Sequence, residues 1–184
     1  MRPTILLLIL LSASGLSAQD KVERERRIDA SDVPAAARAF VDGAAAKRLR
    51  WYREEGSDGT SIEAKFRADG RWHSVEFDPD GGLQDIEVER PVRDLPGDVE
   101  MPVRTRLDTT FRRWSIRKWQ ERFTGPWTRW PDLTAASIHP SAHELVVRGR
   151  SDDGWGLYEV VFGPEGRLVS TRRIVLQSTD HLEF

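Results

Sequence analysis

The amino-acid sequence predicts an α+β fold made of two tandem repeats, each a helix packed on a four-stranded antiparallel sheet, behind a signal peptide. The first observation is a duplicated segment, because Val75–Leu83 returns as Val160–Leu168 with Val, Phe, Pro, Gly and Leu in matching places. An alternating strand followed by a Pro-acidic-Gly turn and an apolar residue is typical of a β-hairpin. In each half a Pro and a Trp also stand 17 residues apart, Pro34 with Trp51 and Pro102 with Trp119. Two such echoes in the same order indicate a duplication.

The N-terminus has the three regions of a secretory signal. Arg2 precedes an apolar run over residues 5–11, and small residues follow up to Ala18. This order predicts a signal peptide over residues 1–18, with an uncleaved N-terminal anchor as the alternative. The apolar run is too short for a bilayer span, which needs about 20 residues. We therefore expect a periplasmic or secreted protein with no membrane segment after cleavage.

The first repeat is predicted over residues 28–89, after a charged N-terminal segment over residues 19–27. Ser31 or Asp32 can cap a helix whose first turn contains Pro34. The apolar residues of that helix recur at helical spacing: Val33, Ala37, Phe40, Val41 and Ala44. Segments of alternating polarity then predict four strands: Lys47–Arg53, Thr60–Arg67, Trp72–Phe77 and Leu83–Glu89.

Alternation within these strands predicts one buried face and one open, solvated face. From Ile62 to Arg67, each apolar residue is followed by a charged one. The same alternation in the neighbouring strands places further residues on the open face: Arg50, Tyr52, Trp72, Ser74, Glu76, Asp85 and Glu87. Facing carboxylates such as Glu63 and Glu76 can act as acid and base. Because Arg50, Lys65 and Arg67 share that face, a solvated, charge-alternating surface is the simpler interpretation.

The second repeat is predicted over residues 99–178, after a linker over residues 90–98. Its helix is expected to begin at Met101 and Pro102, with an apolar stripe of Val103, Leu107, Phe111 and Trp114. Ser115–Phe123 can form a strand or continue the helix, and the repeat favours a strand that begins near Ile116. Further strands are predicted at Glu144–Gly149, Leu157–Phe162 and Leu168–Leu176. A Trp-rich insertion over residues 124–141 has no counterpart in the first repeat, and residues 179–184 form a tail.

The composition excludes several classes of function. The absence of Cys excludes disulfide frameworks, thiolate zinc sites and thiol nucleophiles. A net charge of −2 gives no basis for nucleic-acid binding. Seven Trp and seven Phe indicate a folded chain despite its 32% of charged residues. The oligomeric state stays open.

The order of these motifs resembles the PepSY-like family, whose fold is similar to that of the β-lactamase-inhibitor protein. The matching segments cover most of the mature chain: Val33–Phe40, Trp51, Trp72–Val88, Met101–Phe111, Trp119 and Tyr158–Val169. The resemblance implies an exported, non-enzymatic binding module, which in some relatives acts on peptidases or other hydrolases. It supplies no catalytic residue. The chain departs from the family pattern at Asp108, where the first repeat has Phe40, and in the Trp-rich insertion.

The aromatic residues give the candidate binding surface, because Trp and Tyr flanked by Arg are enriched at protein–protein hot spots. The predicted binding residues are Tyr52, Trp72, Trp127, Trp130 and Trp155. An alternative for Trp127 and Trp130 is that the insertion folds back and covers a sheet edge. We expect an exported protein as the partner, with a peptidase or other hydrolase as the kind that the resemblance implies. A carbohydrate or peptidoglycan fragment could stack on the same aromatics.

A metal-dependent enzyme is the competing hypothesis. His139 and His143 have the spacing that places two imidazoles on one helix face, and Glu144 follows. Pro140 lies between them, and their neighbours resemble a loop and a strand, which argues against that helix. We therefore predict no metal, no cofactor and no enzymatic activity. A small ligand-binding or structural envelope protein is the remaining alternative.

Overall fold

The computed structural model describes residues 20–56 and 59–175, and it leaves the side chains of residues 22 and 23 undescribed. Within these residues the chain forms nine strands and two α-helices. The strands are β1 (Asp20–Ile28), β2 (Lys47–Gly56), β3 (Gly59–Ala68), β4 (Arg71–Phe77), β5 (Leu83–Arg90), β6 (Arg113–Phe123), β7 (Ala142–Ser151), β8 (Gly154–Phe162) and β9 (Leu168–Val175). The helices are α1 (Ala35–Asp42) and α2 (Gly97–Thr110). The predicted signal peptide, residues 1–18, and the predicted tail, residues 179–184, lie outside the described residues.

The strands form one closed sheet in sequence order. Each strand pairs antiparallel with its neighbours in the chain. β1 also pairs in parallel with β9, from Asp20 opposite Arg173 to Val22 opposite Val175, and this pairing closes the sheet. Neither helix in the described part of the chain has both the length and the apolar composition of a membrane span.

The predicted α+β fold of two separate helix-on-sheet repeats is wrong, because the chain is largely β and has one mixed sheet. β5 pairs directly with β6, from Ile86 opposite Phe123 to Arg90 opposite Trp119, and this pairing joins the two predicted four-stranded sheets. The charged N-terminal segment, for which no strand was predicted, forms strand β1. Its alternation of acidic and basic residues gave no apolar face by which a strand could be predicted.

The apolar core of the first half follows the predicted pattern. The stripe of α1 is buried as expected, together with the apolar side of β3: Val33, Ala37, Phe40, Val41, Ala44, Ile62, Ala64 and Phe66. Full burial of a large apolar side chain stabilises the fold by about 1.5–3 kcal/mol. The helix therefore adheres to the outer face of the sheet through packing, since no Cys is available to link them.

The second helix begins earlier than predicted. It starts at Gly97, so that Pro102 lies inside the helix and Met101 is 70% exposed. Its buried stripe is Val99, Val103 and Leu107, and Trp114 packs beside the same core from β6. The predicted start treated Pro102 as the first helical residue, which is its commonest place in helices.

A glycine in each hairpin turn touches the proline of the neighbouring helix region. Gly81 has φ +91°, and a Cβ built there would lie 2.8 Å from the Cβ of Pro34. Gly166 has φ +74°, and a Cβ there would lie 2.9 Å from the Cβ of Pro102. The duplicated motif thus makes the same contact in both halves, although the duplication itself stays a prediction.

Gly81→Ala should lower the free energy of unfolding by about 1–2 kcal/mol or more, because the left-handed backbone conformation costs an L-residue that much. The added methyl group would also press on Pro34. Urea denaturation followed by far-UV circular dichroism measures the change. Gly97→Ala is the control, since its Cβ would meet nothing within 4 Å. Equal stability of the two variants would contradict this account of the turn.

Candidate functional site

The candidate site lies on the inner face of the closed sheet, the face that points away from α1 and α2. Side chains from β1, β4, β6 and β9 line one cavity, so this face encloses an interior. The prediction of an open, solvated face is wrong for these strands. Because β1 closes the sheet, Glu63 is only 6% exposed and Glu159 only 2%.

Carboxylates and basic groups share this interior. The carboxylates are Glu25, Glu54, Glu63, Glu76, Asp85, Glu87, Glu144 and Glu159. Ion pairs connect many of them to Lys21, Lys65, Arg122 and Arg172. Buried charges are costly unless they are paired and hydrogen-bonded.

Arg122 contacts three carboxylates at once. Its Nη2 lies 3.2 Å from Glu87 Oε1, its Nε lies 3.6 Å from Asp85 Oδ2, and it also donates to Glu144. Gln120 Nε2 donates to the second oxygen of Glu87 at 2.9 Å. One positive charge therefore faces three carboxylates, and it can fully neutralise only one of them.

Lys65 organises a second group. Its Nζ lies 2.9 Å from Glu63 and 3.1 Å from Glu25. Burial would raise the pKa of Glu63, but the charge of Lys65 and the hydrogen bond from Ser74 lower it to about 2. The carboxylate oxygens of Glu25, Glu54 and Glu63 lie within 4.8 Å of one another, a spacing that a metal ion could use. The Lys65 ammonium already supplies a cation there.

Glu76 is the exception in this interior. Within the described residues it has neither a hydrogen bond nor an ion pair, and it lies directly opposite Glu63 on β3 and Asp85 on β5. Like charges in directly opposite positions repel. Burial first, and then the charges of Asp85 and Glu63, raise the pKa of Glu76 to about 8. At neutral pH the Glu76 carboxyl therefore carries a proton most of the time.

Three neighbouring carboxyls share this tendency. Burial raises the pKa of Asp85 to about 6 although Arg122 opposes it. Burial and the charge of Asp85 raise the pKa of Glu87 to about 7. Burial and the charge of Glu87 raise the pKa of Glu144 to about 8. Strongly raised carboxyl pKa values at a cavity are a recognised mark of functional sites.

The cavity has a volume of about 220 Å³ and lies where the β2–β3 and β4–β5 hairpins turn. Its wall contains three carboxylates, three basic groups and small or polar turn residues: Glu54, Glu76, Asp85, Lys21, Arg122, Arg172, Gly56, Gly59, Thr60, Ser61 and Gln84. The Oδ1 atom of Asp85 is buried and has no hydrogen-bond partner. Glu76 and Asp85 thus offer acceptor atoms to a donor that enters from outside.

Two of the predicted binding residues pack on the core. Trp130 lies 5.6 Å from Phe66 and 5.9 Å from Phe40 between ring centroids, and Trp127 joins the same cluster. This location agrees with the alternative that the insertion folds back over the sheet. A binding role for either residue stays a prediction.

The other three predicted binding residues belong to the inner side of the sheet. The Lys65 ammonium lies 5.0 Å from the ring of Tyr52, and the Arg67 guanidinium lies 5.9 Å from the ring of Trp72. Trp155 lies in the β7–β8 hairpin and is 46% exposed. The five residues therefore do not form one surface, and their binding roles stay predictions.

The residues of the metal hypothesis do not converge. His143 lies on the outer face of β7 against Trp119, 6.0 Å away between ring centroids. Glu144 is the next residue, so it points to the inner face, where it pairs with Arg122. His139 is exposed in the loop before β7. Opposite faces of one strand cannot bind a single ion.

Sequence reasoning missed this cavity, which is called the acidic cavity below because Glu54, Glu76 and Asp85 lie in its wall. It placed Glu76 and Asp85 on the correct face, but strand alternation is the same whether that face is solvated or enclosed. The only local trace of β1 is the alternation of acidic and basic residues over 23–26, which lacks the apolar face that marks a strand.

Comparison with known proteins adds information about the fold. No protein-family model and no curated protein matches the chain. A DUF2874 family protein from Bacteroides uniformis superposes with a TM-score of 0.52 at 14% identity, over 77% of this chain and 89% of that one. A candidate periplasmic protein from Bacteroides eggerthii gives 0.51 at 12% identity, over 80% and 93%.

A BLIP-like protein from Bacteroides fragilis covers 81% of this chain and 92% of its own, at 17% identity and a TM-score of 0.48. That score is too low to support an argument about this chain. The Bacteroides uniformis and Bacteroides eggerthii proteins, at 14% and 12% identity, show a shared fold and nothing about activity. The PepSY-like family therefore stays a prediction.

Trp130→Ala should lower the free energy of unfolding by about 2 kcal/mol or more, since removal of a fully buried aromatic side chain costs about 3–5 kcal/mol. Trp155→Ala is the matched control and should change it by less than about 0.5 kcal/mol. Both values come from urea denaturation. If Trp130→Ala were as stable as the wild type, Trp130 would not be a packing residue.

The free energy of unfolding should fall as pH rises from about 6.5 to 8.5. In that range the folded state keeps protons on Glu76 and Glu144 that the unfolded state has already released above pH 4.5. This contribution is complete below the unfolded pKa and is lost as the pH rises through the folded pKa. Burial lowers the pKa of His73 to about 4. Below pH 6.5, His73 therefore makes the free energy of unfolding rise with pH.

Glu76→Gln should make this pH dependence shallower, because glutamine does not titrate. Urea denaturation at several pH values in that window gives the slope. Glu100→Gln is the control, because Glu100 lies on α2 and pairs with Arg104 far from the cavity. Parallel curves for the wild type and Glu76→Gln would rule out proton storage at this position.

Proposed function

We propose that the chain is an exported, non-enzymatic binding protein that takes a cationic group into its acidic cavity. The observation that carries this proposal is Glu76, a carboxyl in the cavity wall with no partner among the described residues, beside the unsatisfied Oδ1 of Asp85. The predicted signal peptide and the fold shared with a candidate periplasmic protein support export.

The electrostatics favour a cation. Arg122 already faces three carboxylates and Lys21 pairs with Glu159, and neither forms an ion pair with Glu76, although the charge of Lys21 partly opposes the rise in the pKa of Glu76. An ammonium or guanidinium group would exchange for the proton of Glu76 and donate to it and to Asp85. Such charge-assisted hydrogen bonds are about twice as strong as neutral ones.

The size of the cavity favours a single side chain as the group that enters. A volume of about 220 Å³ lies below the range of about 300–1,000 Å³ that is usual for whole small-molecule ligands. A Lys or Arg side chain of an exported partner protein fits this description, and a peptidase or other hydrolase stays the partner that the family resemblance implies.

Wild-type protein should bind acetyl-arginine amide or acetyl-lysine amide in isothermal titration calorimetry. Binding should tighten from pH 6.5 to 8.5, because the cation displaces a proton from Glu76, whose pKa is about 8. Glu76→Gln should weaken it at least tenfold, and Glu100→Gln should leave it unchanged. Acetyl-glutamine amide serves as the neutral probe. Absence of heat with both cationic probes at pH 8.5, or equal binding of the neutral probe, would overturn the proposal.

A further inference from the structure

We propose that the opposite end of the inner face carries a second site, formed by Arg117, Arg148 and Trp155, that binds an acidic polypeptide segment. This site goes beyond the acidic cavity and uses none of its residues. In an antiparallel sheet successive turns alternate between the two ends, so the β7–β8 hairpin lies at the end opposite the β2–β3 hairpin.

The site is a concave surface of the protein. A cavity of about 600 Å³ is lined by Arg117, Arg148, Trp155, Gly156 and Leu157. Its volume falls in the range of about 300–1,000 Å³ that ligand sites usually have. It is therefore large enough for several side chains of a partner.

The charged residues that line this cavity are arginines, while the adjoining β7–β8 turn contains Asp152, which pairs with Arg112, and Asp153. Arg113 on β6 lies opposite Arg150 on β7, and Arg148 is the next inward residue of β7. In the part of the chain that the structure describes, no carboxylate pairs with Arg117, Arg148 or Arg150. Like charges in directly opposite positions destabilise a sheet. An arrangement that costs stability without an internal partner favours an external anion.

Trp155 adds an apolar contact and fixes the nearest arginine. It is 46% exposed, and the Arg148 guanidinium lies 4.7 Å from the centre of its ring. A guanidinium held on an aromatic ring keeps its donors free for a carboxylate, with which it can form two parallel hydrogen bonds. Leu157 extends the apolar area beside Trp155. Trp and Arg are the residue types that dominate interface energies.

This combination identifies the occupant by its chemistry. Carboxylates complement the arginines, and an aliphatic or aromatic side chain complements Trp155 and Leu157. A polypeptide segment that alternates acidic and apolar residues supplies both. A sulfated glycan supplies the charge without the apolar side chain, so the two ligands differ in their dependence on Trp155.

Fluorescence anisotropy with a fluorescein-labelled decapeptide of alternating Glu and Leu tests the site. The full chain should bind this peptide, and a Gln-Leu decapeptide should bind at least tenfold more weakly. Arg148→Ala and Trp155→Ala should each weaken binding of the Glu-Leu peptide at least tenfold. Arg148→Lys should weaken it too, because lysine keeps the charge but loses the paired hydrogen bonds. Circular dichroism shows whether each variant is folded. If Trp155→Ala does not fold, Trp155→Phe is measured in its place and should retain most of the binding.

Two controls separate this site from others. Arg93→Ala removes an exposed arginine outside the site and should bind like the wild type. Glu76→Gln should also bind like the wild type, so failure of the acidic cavity and failure of this site give different results. Absence of binding, or equal binding of the Gln-Leu peptide, would overturn the proposal. So would a heparin oligosaccharide that competes with the Glu-Leu peptide for the wild type and binds equally tightly when Trp155 is replaced by alanine.

Discussion

The short parallel pairing of β1 with β9 determines the character of the whole interior. Without it, the inner face would be the wet side of an open antiparallel sheet, and its charges would need no explanation. With it, carboxylates such as Glu63 and Glu144 are removed from water and must be satisfied by Lys65 and Arg122. A few backbone hydrogen bonds therefore convert an ordinary solvated surface into a costly buried network.

The interior contains carboxylates that pair with basic groups and one, Glu76, that forms no ion pair within the described residues. Lys65 keeps Glu63 ionised, and Arg122 divides its charge among Asp85, Glu87 and Glu144. Glu76 loses its charge by binding a proton, and its pKa is raised to about 8 for this reason. A fold that stores protons at an opening of its interior is poised to release them when a cation arrives.

How much could be predicted depended on which physical signal the residues carried. The α1 stripe and strands β2 to β5 were predictable to within a few residues, because apolar periodicity directly reports burial. The start of α2 was not, because Pro102 is the sixth residue of the helix, a place where proline is rare, and the prediction put it at the first position. β1 has no apolar face to detect. Enclosure of the inner face depends on long-range strand pairing. Alternation within a single strand does not reveal which strands pair.

Closure also constrains how a partner can engage the molecule. A whole protein cannot lie across the inner face between β3 and β7, because side chains such as Glu63 and Glu144 already fill that space out of contact with solvent. What remains accessible are the two ends, where single side chains or a short segment can enter. The two ends differ in chemistry: one cavity presents Glu76 and Asp85 among basic groups, and the other is lined by Arg117 and Arg148. A broad contact with the inner face, of the kind expected from an open sheet, is therefore sterically excluded.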